Sequence, residues 1–483
     1  NGMLKITDNA AGAVWNSVFV AGKKMTIEDT GTSKGGYDAT TGYGGALGQL
    51  ADGNLTFAGN IFYISSSVTT TSDYVDANAV PYIFPSSGAT NSVADPGLTD
   101  IDQTGGVNPH PTTSGAASSG AETFTDTSFL SQTTFRGAFS GYQVGNWLDG
   151  WTVVDSSTLV ADPVTTQTSG VIEVTSDITS DATWTSSNTY ILKDYVFVGP
   201  GATLTIQAGT IIKADVGTGN AAPALIVTNG GKIYAIGTAT SPIIFTSVED
   251  NINDLTAYTE SALTKADTGK WGGLIILGDA PINSNGGDAD TTPMTDKIEG
   301  VPTTSGITFK NIPASYALYG GTDSAHNAGT LKYVSIRHGG AEIGSDNEIN
   351  GLTLGGVGSG TTIENIEVFA NKDDGIEFFG GSVNAKNLVV AYCGDDSFDL
   401  DQGYTGQLQF LLAIQDANSD NAVEWDGVDG NDDRLVSGTS DANGTIANLT
   451  VIGDGAGSNG MLKITDNAAG AVWNSVFVAG KKM

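Results

Sequence analysis

"IENIEVFANKDDGIEFFGGSVNAKNLVVAYCGDDSFDLD", residues 363–401, carries the pattern that decides the fold. Two apolar, β-branched runs, "NIEVFA" and "NLVVAY", each lead through a turn rich in Asp and Gly into a second short run, "IEFF" and "FDLD". Runs this short, bounded by turn formers, read as strands rather than helices. The block returns after 22 residues, from Asp374 to Asp396, and again after 25, at Asn421. Repeats of that length, each a few short strands joined by turns, describe rungs of a parallel β-helix.

A rung cannot hide its apolar face alone, so rungs stack ~4.8 Å apart and bond their backbones to one another. Similar blocks start at Ser345, Ser419 and Gly457, and together they align Asn347, Asp374, Asp396, Asn421 and Asn459 in one column. That column is expected to form a side-chain ladder at a turn. Ile349, Ile376, Phe398 and Val423 form one expected inward column, and Phe378, Leu400 and Trp425 another. The leucine-rich-repeat pattern of the competing solenoid is absent, which leaves an all-β parallel β-helix.

Outward from this region, "NGMLKITDNAAGAVWNSVFVAGKKM" occurs twice, at 1–25 and at 459–483. The stretch "SSTLVADPVTTQTSG", 156–170, reads as a Ser/Thr-rich linker. The expected organisation is therefore residues 1–155 as the C-terminal part of one β-helix unit, 156–170 as linker, and 171–483 as the N-terminal and central part of the next. Both copies of the repeated passage suit the surface beyond "IANLTVIGDG", and only one is expected to occupy it. The other, from Asn1, Gly2, Met3 and Leu4 or from Asn459, Gly460, Met461 and Leu462, is expected to seek a neighbouring copy head to tail.

Composition narrows the function. Fifty-three acidic residues against 20 basic give a formal charge of −33, a surface that repels nucleic acid and anionic lipid and favours cations. Hydrophobic residues at 39%, with seven Trp and 17 Phe, suffice for an ordered core. Cys393 is the single cysteine, so a disulfide within the chain and a thiolate metal cage are both excluded, and its apolar setting points to a buried thiol. No apolar run approaches the ~18 residues of a membrane span.

Carboxylates supply the candidate chemistry. Asp373, Asp374, Asp395 and Asp396 cluster in the alignment, and Glu377, Asp399 and Glu424 fall in an outward column. Stacked carboxylates ~4.8 Å apart repel by ~3.5 kcal/mol at an effective dielectric of ~20, so they call for protons, solvent or counter-ions. Within "DGVDGNDDR", Asp426, Asp429, Asn431 and Asp433 are the expected calcium ligands, at near-alternate spacing but without the closing Glu of an EF-hand. Aspartates on adjacent rungs also serve some β-helix polysaccharide hydrolases. The histidines are scattered, and Trp147 and Trp151 in "NWLDGWT" are expected to close the end of a core.

The phrases "GATLTIQAGTIIKA", "WGGLIILGDAPIN", "LKYVSIRHGG", "GDDSFDLDQGY" and "FRGAF…NWLDGWT" together resemble a family of secreted bacterial cell-surface β-helix proteins common in Bacteroidota-like bacteria. The resemblance implies a right-handed β-helix at the cell surface and brings no catalytic residues. In that family "GATLTIQAG" comes early and "NWLDGWT" last, whereas here the order is inverted. The expected function is a non-enzymatic repeating subunit of an extracellular filament or adhesin-like fibre, its partner a second copy of itself and surface glycans a further ligand. The alternatives are a calcium-dependent glycan-binding module and a polysaccharide-degrading β-helix enzyme.

Overall fold

The computed structural model describes residues 4–7, 10–20, 25–29, 43–63, 70–85, 91–98, 109–141, 146–154, 170–252, 263–284, 294–298, 313–344, 347–427, 443–453, 461–466 and 468–478. Two compact units emerge, one of Asn1–Asn146 with Leu400–Met483, the other of Trp147–Asp399. Each is built from rungs of a right-handed parallel β-helix, as the repeat length predicts. The linker expected at 156–170 lies outside the described residues except for Gly170, which opens the strand Gly170–Val174.

In the unit Trp147–Asp399, the strands Val196–Val198, Leu225–Val227, Leu274–Leu277, Leu352–Gly355 and Ile376–Phe379 pair in parallel to form one face. Alternation along each strand sends every second side chain inward. Val196, Leu225, Leu274, Leu352 and Ile376 thus stack in one column, and Val198, Val227, Ile276, Leu354 and Phe378 in the next, all fully buried. The inward role expected for Ile376 and Phe378 holds, but the partner of Ile376 is Leu352, not Ile349.

Early rungs of this unit supply two separate strands to the remaining faces, such as Lys232–Ile236 and Ile243–Ser247. In the next rung both continue as a single strand, Gly329–Arg337. That strand turns its corner at Tyr333, with φ of 50°, and the following rungs turn at Asn365 and Asn387, with φ of 56° and 59°. Left-handed backbone costs most L-residues ~1–2 kcal/mol, and Asn tolerates it best, which accounts for Asn in the middle of apolar runs.

The unit of Asn1–Asn146 with Leu400–Met483 repeats the device at Asn448, Asn474 and Asn16, with φ of 55°, 51° and 53°. Here the corner also binds a strap formed by residues 109–141. Asn448 Nδ2 donates to Thr133 Oγ1 at 3.2 Å and to the Gly137 carbonyl at 3.1 Å, while Asn474 Oδ1 accepts the Glu122 N–H at 3.0 Å. Asn448→Ala is expected to cost ~2 kcal/mol, from left-handed strain plus unsatisfied buried acceptors, as read by urea denaturation.

Both copies of the repeated passage find seats in this one unit. Ala469–Trp473 and Val476–Val478 rest on Asn443–Ile452, and Ala11–Trp15 and Val18–Val20 rest in turn on them, Trp15 opposite Trp473 and Val18 opposite Val476. Leu4–Ile6 lies beside Leu462–Thr465 in the same register. One copy alone occupies the surface of Asn443–Ile452, as expected, but the other copy seats on that first copy within the same chain rather than on a neighbouring molecule: the upper surface of this rung complements the underside of an identical rung.

Candidate functional site

The strongest convergence of charged groups lies in the unit Trp147–Asp399, at the turn entering the strand Ile376–Phe379. Because Ile376 and Phe378 face the core, alternation turns Glu377 outward, opposite Thr353 of the preceding rung. Asp374 ends the turn before it. The Asp374 carbonyl accepts the Gly351 N–H at 3.0 Å and its Oδ1 accepts the Asp396 N–H at 2.8 Å, so Asp374 ties one rung to the next.

Carboxylate oxygens of Asp374, Glu377 and Asp399 lie within 4.8 Å of one another, and so do those of Asp373, Asp374 and Asp395. Asp374 belongs to both triads. It is 8% exposed and Glu377 6%, so water screens their repulsion poorly. Asn350 Nδ2 donates to Glu377, relieving part of that charge. The other half of this amide is orphaned: Asn350 is 2% exposed, and its Oδ1 meets no donor. Three converging carboxylates form an all-oxygen donor set of the kind calcium takes, in flexible geometry with six to eight ligands, rather than the nitrogen and sulfur ligands typical of structural zinc, and the buried Asn350 amide lies against it through Glu377.

The expected ladder is placed residue by residue. Asp374 and Asp396 are joined by the hydrogen bond above. Asn347 instead lies in a short strand, Asn347–Glu348, antiparallel to Glu342–Gly344, and the residue beside Asp374 in the preceding rung is Asn350. Asn421 is buried in the other unit, where its Nδ2 donates to Glu424 at 2.9 Å. Asn459 lies outside the described residues, as do Asn1, Gly2, Met3 and Gly460, whereas Leu4, Met461 and Leu462 are buried.

Of the expected calcium loop, Asp429, Asn431 and Asp433 lie outside the described residues. Asp426 ends the strand Val423–Asp426, and its carboxyl is pushed up to about 8, first by burial and then by the charges of Glu424 and Asp401, with Lys463 opposing. Glu424 is itself neutralised by Lys463, its register partner on the next rung. The outward carboxylates therefore have different partners: a lysine from the neighbouring rung at Glu424, and the amide N–H of Asn350 at Glu377.

Trp151 is fully buried but packs edge-on against the corner residue Tyr333 at 5.6 Å rather than closing an end. His110 bonds the Ser140 carbonyl at 2.9 Å, consistent with a structural turn. Asn350 and the fully buried Glu367 had no place among the expected site residues. Asn350 had the signal of an amide one rung from Asp374; Glu367 had none.

A family model described as a pectate-lyase-like β-helix domain matches residues 176–483. The chain belongs to this family. No curated protein and no solved structure matches it. Membership in the pectate-lyase-like β-helix family agrees with the rung architecture. Among the described residues, no helix is long and apolar enough to cross a membrane.

Proposed function

We propose that this chain is an extracellular β-helix that recognises polysaccharide through a divalent cation held by Asp374, Glu377, Asp399 and the amide oxygen of Asn350. The observation that carries this reading is the convergence of three carboxylates on a site whose neighbouring buried amide oxygen has no donor. Four protein oxygens leave positions on calcium for sugar hydroxyls or carboxylates. A cation at this point also answers the difficulty that a chain of charge −33 presents to any anionic polysaccharide. Membership in a pectate-lyase-like family makes polysaccharide the natural ligand class.

The reading is recognition rather than turnover. Two lysines of this unit have their charges engaged: Lys372 Nζ sits 2.8 Å from Glu342, and Lys265 Nζ lies 4.3 Å from the centre of the Tyr392 ring. Neither is poised as a base for proton abstraction. Asp374 and Glu377 serve to hold charge in place, with Asn350 fixing the orientation of the Glu377 carboxylate.

Calorimetric titration of the full chain with calcium tests the site. Asp374→Asn, which removes the ligand shared by both triads, is expected to weaken calcium on the order of 100-fold. Glycan binding is expected to vanish with chelator and return with calcium. Absence of calcium binding to the wild type, or glycan binding indifferent to chelator, would refute the reading. A structural, fibre-forming role is the second reading, favoured by the in-register seating of one copy of the repeated passage on the other.

A further inference from the structure

We infer that the duplicated rung is an exchangeable joint through which a second copy of this chain docks, the strands Leu4–Ile6, Ala11–Trp15 and Val18–Val20 of one molecule seating on Leu462–Thr465, Ala469–Trp473 and Val476–Val478 of another in the register they adopt within one chain. Among the described residues the seam between the two copies is bonded through both backbone and side chains. Thr7 N–H donates to the Ile464 carbonyl at 3.0 Å, Ala11 N–H to Ala468 at 3.1 Å, and Asn474 N–H to Trp15 at 3.0 Å. Thr7 and Thr465 hydroxyls meet at 3.0 Å, the Phe19 and Phe477 rings stack at 5.0 Å and 5°, and Trp15 meets Trp473 edge-on at 4.7 Å.

None of these contacts depends on both copies belonging to one molecule. Each is made between residues more than 450 positions apart, and exchange with a second chain would recreate the same list with the same energy. Identity of sequence widens the exchange. Asn443–Ile452, which receives Ala469–Trp473 and Val476–Val478, meets the same side chains if 11–20 arrives instead. A displaced copy therefore has a seat on another chain, and because the donor and acceptor surfaces differ, the contact is head to tail and propagates unless it closes into a ring or a reciprocally exchanged dimer.

What selects between the closed and the exchanged form is effective concentration, on the order of millimolar for a tethered partner. Dilute chains close on themselves, and concentrated chains exchange while refolding. The seam has a point at which it can be blocked. Gly12 adopts φ of +121°, and a Cβ there would lie 2.1 Å from the Gly470 carbonyl oxygen, backbone against backbone. Gly12→Ala therefore denies the seat to residues 4–20 from any molecule and leaves the rung at 461–478 on its own neighbour.

The full chain would be refolded from denaturant at rising protein concentration and its mass followed by light scattering, in parallel with Gly12→Ala and with an Ala13→Cys/Ala471→Cys pair that spans the seam. The expected result is mass rising in whole-chain steps with concentration, a reducible ladder in the cysteine pair, and monomers throughout for Gly12→Ala. Monomers at every concentration, multimers with only intrachain disulfides, or multimers undiminished by Gly12→Ala would each overturn the inference.

Discussion

Glu367→Ala is expected to lower the unfolding free energy of the unit Trp147–Asp399 by ~3–5 kcal/mol, the cost of stranding one member of a buried ion pair. Glu367 is fully buried on the strand Thr362–Phe369 and Arg337, on the neighbouring strand, is 2% exposed. One oxygen of Glu367 accepts the Val153 N–H at 2.6 Å. The other accepts the Ser335 hydroxyl at 2.6 Å and lies 4.0 Å from Arg337 Nη2. Burial pushes this carboxyl above its usual range, with Arg337, Ser335 and the N–H groups of Val153 and Val154 pulling the other way. Truncation removes the counter-charge of a buried guanidinium and the acceptor that holds residues 147–154 against the corner at Tyr333. Urea denaturation followed by tryptophan fluorescence reports both effects, since Trp151 packs on Tyr333. Glu367→Leu with Arg337→Met is expected to recover the part of the loss owed to the stranded charge, because charge and counter-charge leave together, but not the part owed to the Val153 N–H and Ser335 hydroxyl, which lose their acceptor in both variants. A loss below ~1 kcal/mol for Glu367→Ala would show that the pair holds little.

Glu367 also marks where local sequence stops being informative. "NIEVFA" places it among alternating residues as a solvent-facing carboxylate, and what buries it comes from Val153, 214 positions away. By contrast, the rung period and the inward columns were legible, because stacking forces one alternation on every strand and only apolar side chains satisfy it. Register was harder. Asn347 and Asn350 both offer an amide near the right spacing, and only the Gly351 N–H bond to the Asp374 carbonyl places Asn350 beside Asp374, since a small antiparallel pair is inserted at Glu342–Gly344 and Asn347–Glu348. The corner asparagines carry a visible signal in the sequence. Asn365, Asn387, Asn448 and Asn474 each interrupt an apolar run, where a poor strand former is explained by left-handed backbone. Two seats for one repeated passage could not be deduced from pattern, because complementarity of a rung to its own copy is a property of packed surfaces. Asp373, Asp374, Glu377 and Asp399 were flagged by type and spacing, but their convergence within 4.8 Å depends on how the turns fold.

Stability of the unit that contains Asp426 is expected to fall as pH rises from about 4 to about 8, opposite to the usual behaviour of a protein held by ionised carboxylates. In the folded unit the Asp426 carboxyl keeps its proton until about 8, whereas in the unfolded chain it loses it near the ordinary value of 3.8. Between those limits the unfolded state binds fewer protons than the native state, so each rise in pH favours unfolding, by at most ~1.4 kcal/mol per pH unit for one proton. Burial fixes the sign and the groups facing it add to it: Glu424, Asp401 and Asp466 oppose ionisation, and Lys463, already engaged by Glu424, offsets only part. Below pH 4 both states are protonated and the full stability is present; above pH 8 the native carboxylate is ionised and the contribution is gone. Discounted by about half for partial exposure, the total is ~3 kcal/mol. Asp426→Asn mimics the protonated acid in shape and cannot ionise. It should match the wild type at pH 3.5, exceed it by ~3 kcal/mol at pH 9, and flatten the profile between them in urea titrations. Parallel profiles for the two proteins would show that Asp426 ionises normally, and that Lys463 neutralises Asp426 as well as Glu424.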